Sequence, residues 1–156
     1  MTDDEAPRPM RLPLIGLIVA YSAACGPLPV NVVGDAMAPT LRDGGRARVT
    51  VAFDSLNRGD IVAFKYPRDE SKSLVMRIVG LPGEQLEIRE GAVAIDGRVL
   101  EEPYVIDANR AFDDLGPLRL DRDEYFVLGD NRRDSSDSRT WGPVRLDLIW
   151  AKVIDR

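Results

Sequence analysis

Glu87-Ile-Arg-Glu-Gly-Ala-Val-Ala-Ile-Asp-Gly-Arg98 is the stretch that decides the fold class. Apolar and polar residues alternate on both sides of Glu90-Gly91, the period of a strand with one buried face. Glu90-Gly91 supplies the turn, so the stretch reads as a β-hairpin with arms Gln85–Arg89 and Ala92–Ile95. Asp96-Gly97 then closes the second arm with another turn.

The same texture extends outward. Arg46–Phe53, Asp60–Lys65, Leu74–Val79, Tyr125–Leu128 and Ile149–Val153 are short and rich in Val, Ile and aromatic residues. Asp43-Gly44-Gly45, Arg58-Gly59-Asp60 and Leu81-Pro82-Gly83 punctuate them. No amphipathic pattern of three helical turns follows residue 30, and no internal repeat is present. Seven short strands with tight turns predict an all-β domain, barrel-like or sandwich, over residues 30–156. Residues 101–122, with Pro103 and Gly116-Pro117, are expected to form an extended surface insertion.

Composition removes several kinds of chemistry. The chain has no histidine, which excludes a Ser-His-Asp triad, a Cys-His dyad and any His-ligated metal site. Its one cysteine, Cys25, cannot form an internal disulfide or a cysteine cluster. No glycine-rich phosphate cradle is present. The net charge is −5 and no Lys/Arg stripe appears, so nucleic acid is not an expected partner. No metal or other cofactor is expected. Carboxylate chemistry, Ser/Lys chemistry, or none remains.

Residues 1–29 form a separate segment. Arg8 and Arg11 precede a stretch, Leu12–Ala24, without a charge, and Pro27 and Pro29 oppose continuing a helix beyond it. The apolar run falls short of the ~20 residues that a spanning helix needs, so a start near Met10 gives a marginal span. One reading is an uncleaved signal-anchor with its basic flank in the cytoplasm. Another is a lipoprotein signal, since Ser22-Ala-Ala-Cys25-Gly26 is similar to a lipobox with Cys25 as the lipidated residue. A buried helix of a soluble domain fits least, because the segment is apolar all round rather than striped. The anchor is preferred. It and the lipoprotein reading both put membrane lipid among the partners and residues 30–156 on the extracytoplasmic side.

Four further segments carry order that a generic β domain does not require: Gly34-Asp-Ala-Met-Ala-Pro-Thr-Leu41, Asn57-Arg-Gly-Asp-Ile-Val-Ala-Phe64, Val75-Met-Arg-Ile-Val-Gly-Leu-Pro-Gly-Glu84 and Gly129-Asp-Asn-Arg-Arg-Asp-Ser-Ser-Asp-Ser-Arg-Thr-Trp-Gly142. Each alone reads as a turn or a turn-strand unit. In this sequence order they resemble the blocks of type I signal peptidases, serine-lysine peptidases of family S26. That resemblance implies an all-β catalytic domain of antiparallel sheets with an apolar membrane-facing edge. In that family a serine attacks the scissile carbonyl and a lysine, kept neutral by an apolar pocket, takes its proton. Ala36 stands at the nucleophile position and Met76 at the base position. Methionine nearly matches the length of lysine and is cheaper to bury. By resemblance, Ser135 would contact the base position, and Asp137 with Arg139 would form a supporting ion pair. Arg77 and Asp130 would complete this support. Val32, Val33, Met37 and Val75 would line a groove for an extended peptide.

Substitutes for the missing pair are hard to find. Lys72 lies four positions before Met76, about 13 Å along a strand, too far to activate a nucleophile at position 36. Ser135 lacks an activating amine, and a water held by Asp35 is a weak candidate. Losing both reactive groups leaves roughly 10³–10⁴ over water in a triad protease, too little for peptide turnover. The expectation is therefore an inactive family member that binds signal peptides or other extended peptides of exported proteins. The alternatives are an active signal peptidase working through other residues, and an experimentally inactivated form of one. Self-cleaving repressors share the Ser/Lys logic but lack the Gly129–Gly142 type of block and carry a DNA-binding module.

Overall fold

A computed structural model describes residues 26–155. The anchor and lipoprotein readings of the N-terminal segment, and Cys25 with them, lie outside the described residues. Among the described residues eleven strands follow one another: β1 (Leu28–Asn31), β2 (Arg46–Thr50), β3 (Ile61–Tyr66), β4 (Asp69–Gly80), β5 (Gln85–Arg89), β6 (Ala92–Ile95), β7 (Arg98–Val99), β8 (Leu115–Arg119), β9 (Glu124–Leu128), β10 (Val144–Arg145) and β11 (Ile149–Asp155). Among the described residues the α-helix content is one turn, α1 (Ser138–Trp141). No described helix is long and apolar enough to cross a membrane.

The strands form two antiparallel sheets. The larger has the order β1-β2-β11-β3-β4-β9-β10, and the smaller has β7-β6-β5-β8. The predicted hairpin is the centre of the smaller sheet, with Glu87 opposite Ala94 and Ile88 opposite Val93. All seven expected strands are present. The strand expected over Arg46–Phe53 ends at Thr50, whose hydroxyl donates to the Ala52 carbonyl at 3.0 Å and accepts the Ala52 N–H at 3.2 Å. That local loop competes with further sheet pairing.

Strand β9 shows why a continuous apolar run forms a strand here. Tyr125 and Val127 face a core with Phe64, Met76, Ile78 and Trp141, while Phe126 and Leu128 face a second core with Leu86, Val93 and Leu120. Both faces are covered, so alternation disappears from the sequence. The second core glues the smaller sheet to the back of the larger one. Gly80 sits at that junction. A Cβ there would lie 2.7 Å from Leu120 Cδ1 and 2.9 Å from Phe126 Cβ, so nothing larger than glycine fits without displacement.

The expectation for residues 101–122 needs correction. Much of the segment is exposed, but Leu115–Arg119 pairs with β5 as a sheet strand. Val105 and Leu120 are buried. The proline that suggested a loop is tolerated because β8 is an edge strand, where a missing N–H leaves no interior ladder broken.

Candidate active site

Two segments of the larger sheet's open side face each other across a cleft. One is the turn after β1. Its Ala38 N–H donates to the Asp35 carbonyl at 3.0 Å, and its Leu41 N–H donates to Met37 at 2.9 Å. The other is the middle of β4. Val32, Val33, Gly34, Ala36, Met37 and Leu41 form one wall of the cleft, Ser73–Met76 form the other, and the space between is about 200 Å³. Ala36 and Met76 therefore share one cavity. Val32, Val33, Met37 and Val75 line it as well. A second cavity of about 220 Å³ adjoins it through Asn31, Val32, Leu41, Ser73 and Val75, with Ala47, Ala63 and Trp150 beneath.

The cleft is apolar and lacks proton-transfer chemistry at its centre. Met76 is buried and packs with Met37, Leu41, Ile61 and Val62. Its thioether can accept only weakly and cannot carry a proton at neutral pH. The Ala36 methyl offers no nucleophile. Lys72 is turned away into solvent, where it pairs with Asp69 at 2.8 Å. That pair and the Ser71 hydroxyl hold the Asp69 carboxyl down at about 2. A larger concavity of about 700 Å³ lies on the smaller sheet, between Glu87–Glu90 and Asp114–Pro117, and shares no lining residue with the cleft. It is bordered by charges of both signs and has no hydroxyl or amine pair.

The loop after β9 supports the cleft from below. The Asn131 N–H donates to the Ala36 carbonyl at 3.0 Å, and Asn131 Nδ2 donates to the Asp35 carbonyl at 3.2 Å. Gly129 makes this approach possible. A Cβ at that position would stand 2.3 Å from Ser135 Oγ and 2.5 Å from the Ala36 carbonyl oxygen. Ser135 Oγ is thus placed close to Ala36. It is buried and makes no hydrogen bond among the described residues.

Charged groups behind the cleft are, by contrast, fully engaged. Arg77 follows Met76 on β4 and points to the opposite face. Its Nε donates to Asp130 Oδ1 at 2.8 Å, Nη2 to Oδ2 at 2.6 Å, and Nη1 to the Gly59 carbonyl at 2.8 Å. Thr40, from the turn that holds Ala36, donates its hydroxyl to the same carboxylate. Burial opposes the Arg77 charge, but the Asp130 hydrogen bonds and charge outweigh it and hold the guanidinium above its ordinary value. Arg139 behaves alike. Burial opposes its charge, and Asp137 first, then Asp113, more than offset this. Arg139 Nε reaches Asp137 Oδ1 at 2.8 Å, and Asp137 also caps α1 by accepting the Arg139 N–H. The Asp137 carboxylate also accepts the Gly129 N–H at 3.2 Å, which ties the pair to the loop under Ala36.

Reading by residue type missed three participants. Thr40 lies within a quoted motif but was not singled out. Glu102 and Tyr104 lie in the segment expected to be a surface insertion. Glu102 pairs with Arg132, with both side chains buried, and the Tyr104 ring lies 4.0 Å from the Arg77 guanidinium carbon. No periodicity marks these contacts.

This is the architecture of a signal-peptidase-type β domain. The chain belongs to that family: the model described as "Signal peptidase, peptidase S26" matches residues 10–155. Signal peptidase I of Bacillus amyloliquefaciens is 38% identical over 122 residues, covering 71% of this chain and 64% of the relative. Signal peptidase I S of Bacillus subtilis is 37% identical over 124 residues, covering 71% and 65%. A crystal structure of a signal peptidase I from Enterococcus faecalis superposes with a TM-score of 0.56 at 33% identity, covering 63% of this chain and 96% of that one. The chain spans just under two thirds of the length of the two Bacillus relatives.

Proposed function

We propose that this chain is a signal peptidase I family protein without peptidase activity, whose cleft holds extended peptides of exported proteins on the outer membrane face. The observation that carries the reading is the shared cavity of Ala36 and Met76, in which neither side chain can supply a nucleophile or a base. The two adjoining apolar cavities fit an extended peptide that places alternate side chains into the wall, as strand addition requires. Gly34 and Ala36 leave only backbone N–H groups near the position where an oxyanion would form. In this reading residues 1–29 tether the domain to membrane lipid, by a helix or through Cys25. Val32, Val33, Met37 and Val75 contact the peptide. Arg77, Asp130, Ser135, Asp137 and Arg139 hold the cleft in shape.

A second reading, an active peptidase using other groups, draws on the 33–38% identity to proteins named signal peptidase I. One assay separates the two. A preprotein with an Ala-x-Ala cleavage site is incubated in detergent with the native chain and with an Ala36→Ser/Met76→Lys double variant. The proposal expects no cleavage by the native chain and cleavage by the double variant. Removing such reactive groups from a triad protease costs up to about 10⁶ in kcat, so the gain should be several orders of magnitude. Equilibrium binding of the same preprotein to the native chain tests the peptide-holding half. Native cleavage sinks the inactive reading, and absence of binding sinks the peptide-holding one.

A further inference from the structure

We propose that Glu102–Asn109 acts as a positioning strap that fixes the distance between the two walls of the cleft, with Glu102 and Tyr104 as its positioning residues. The strap adds a second set of ties among three segments that β4–β9 pairing, Asp130 and Asn131 already join. Asn109 Nδ2 donates to the Ala38 carbonyl at 2.9 Å, in the turn that carries Ala36. The Tyr104 ring stacks on the guanidinium of Arg77, the neighbour of Met76 on β4. Glu102 accepts from both terminal nitrogens of Arg132, one of them at 3.1 Å. Arg132 belongs to the loop that carries Ser135, and its Nε donates to the Gly129 carbonyl at 3.0 Å.

These contacts form one chain. The Tyr104 hydroxyl donates to Glu102 Oε1 at 3.1 Å, so the stacking on β4 and the ion pair to the loop are set by the same two side chains. Arg132 is then held from behind, because its carbonyl accepts Arg139 Nη2 at 2.8 Å. Glu102 and Arg132 are only 7% and 5% exposed. Burying such a pair is costly before their attraction is counted, and the cost is offset only in good geometry. A pair of this kind tolerates few loop positions, which is the property a strap needs. The surface of the smaller sheet does not need it: Leu86, Val93 and Leu120 already glue that sheet down.

The test uses the full chain in detergent micelles with ¹³C-methyl-labelled alanine and methionine. The Ala36 and Met76 methyls report the two walls directly, so the result does not depend on whether the cleft binds a peptide or cleaves one. Glu102→Gln keeps the volume and the Tyr104 ring, and Tyr104→Leu removes the ring. Both methyl resonances are expected to move beyond their line widths in Glu102→Gln, with the thermal midpoint showing how much stability is lost. In the Ala36→Ser/Met76→Lys background the same change is expected to lower kcat by up to about 10²-fold with KM little altered, as for a reactive pair held slightly apart. Ala36 and Met76 resonances that stay in place in Glu102→Gln, whatever the midpoint does, would overturn the strap and leave Glu102 as an ordinary stabilising residue. Should Tyr104→Leu fail to fold, Glu102→Gln and Tyr104→Phe decide the matter alone.

Discussion

The two faces of β4 carry opposite chemistry within one residue of each other. Met76 faces an apolar cleft that it shares with Ala36, and near the Ala36 carbonyl the buried hydroxyl of Ser135 makes no hydrogen bond among the described residues. Arg77 faces a closed network in which each guanidinium nitrogen donates. The difference follows from what each face would lose. An unpaired hydroxyl costs about 1–3 kcal/mol, which a folded domain survives. An unpaired buried guanidinium costs more and would displace the strand. The back of the site therefore sets the geometry, while the front holds apolar residues at positions 36 and 76 without cost to the fold.

The sharpest way to break this comparison is at Asp130, which is fully buried. Asp130→Ala leaves Arg77 charged and unpaired and strands the Thr40 hydroxyl. Urea unfolding should show a loss of about 3–5 kcal/mol. Arg77→Met/Asp130→Leu should lose less than Asp130→Ala alone, because both charges leave together. A cost for Asp130→Ala under about 1 kcal/mol would mean that the back is no more than surface electrostatics.

Alkaline pH probes the same side more gently. Burial first, and then Glu102, push the Tyr104 phenol above its ordinary value. The folded chain therefore holds that proton more tightly than the unfolded chain does. The resulting stability is present in full below the unfolded value of about 10 and is lost as pH rises through the folded value. Tyr104→Phe should flatten this alkaline decline while retaining the ring over Arg77. An unchanged decline would place the titration elsewhere, for instance at Tyr125, whose phenol burial also raises.

How much of this was legible depended on where each residue sits in the sheets. Interior strands announce themselves: β3, β4 and β9 are apolar runs, and β5–β6 alternate. The four strands that sequence reading missed, β1, β7, β8 and β10, are the four sheet edges. Edge strands need no buried face and accept proline, so Pro29 in β1 and Pro117 in β8 read as breakers. The site divides in the same way. Ala36 and Met76 were reached through ordered motifs, because no periodicity links positions so far apart. Glu102–Arg132 and Tyr104–Arg77 join segments through long-range contacts, and neither carries a local pattern. Side-chain type alone makes Glu102 look like one more solvated carboxylate in a charged stretch, which is the usual fate of glutamate.

Ser135 offers the smallest effect and the finest discrimination between the two faces. Its hydroxyl is a buried polar group that makes no hydrogen bond among the described residues, beside a glycine that leaves no room for adjustment. Ser135→Ala should therefore be neutral or stabilising by up to about 1 kcal/mol in the native chain, since desolvation of an unpaired hydroxyl is removed and the volume lost is one oxygen. In the proposed reading Ser135 meets position 76, so an amine placed there by Met76→Lys gives the hydroxyl a partner and Ser135→Ala should become destabilising. The change of sign, read as a double-mutant cycle by urea unfolding, isolates the coupling between positions 76 and 135 from everything behind β4. The same sign in both backgrounds would mean that Ser135 answers to the Gly129–Ala36 backbone and not to the residue at 76.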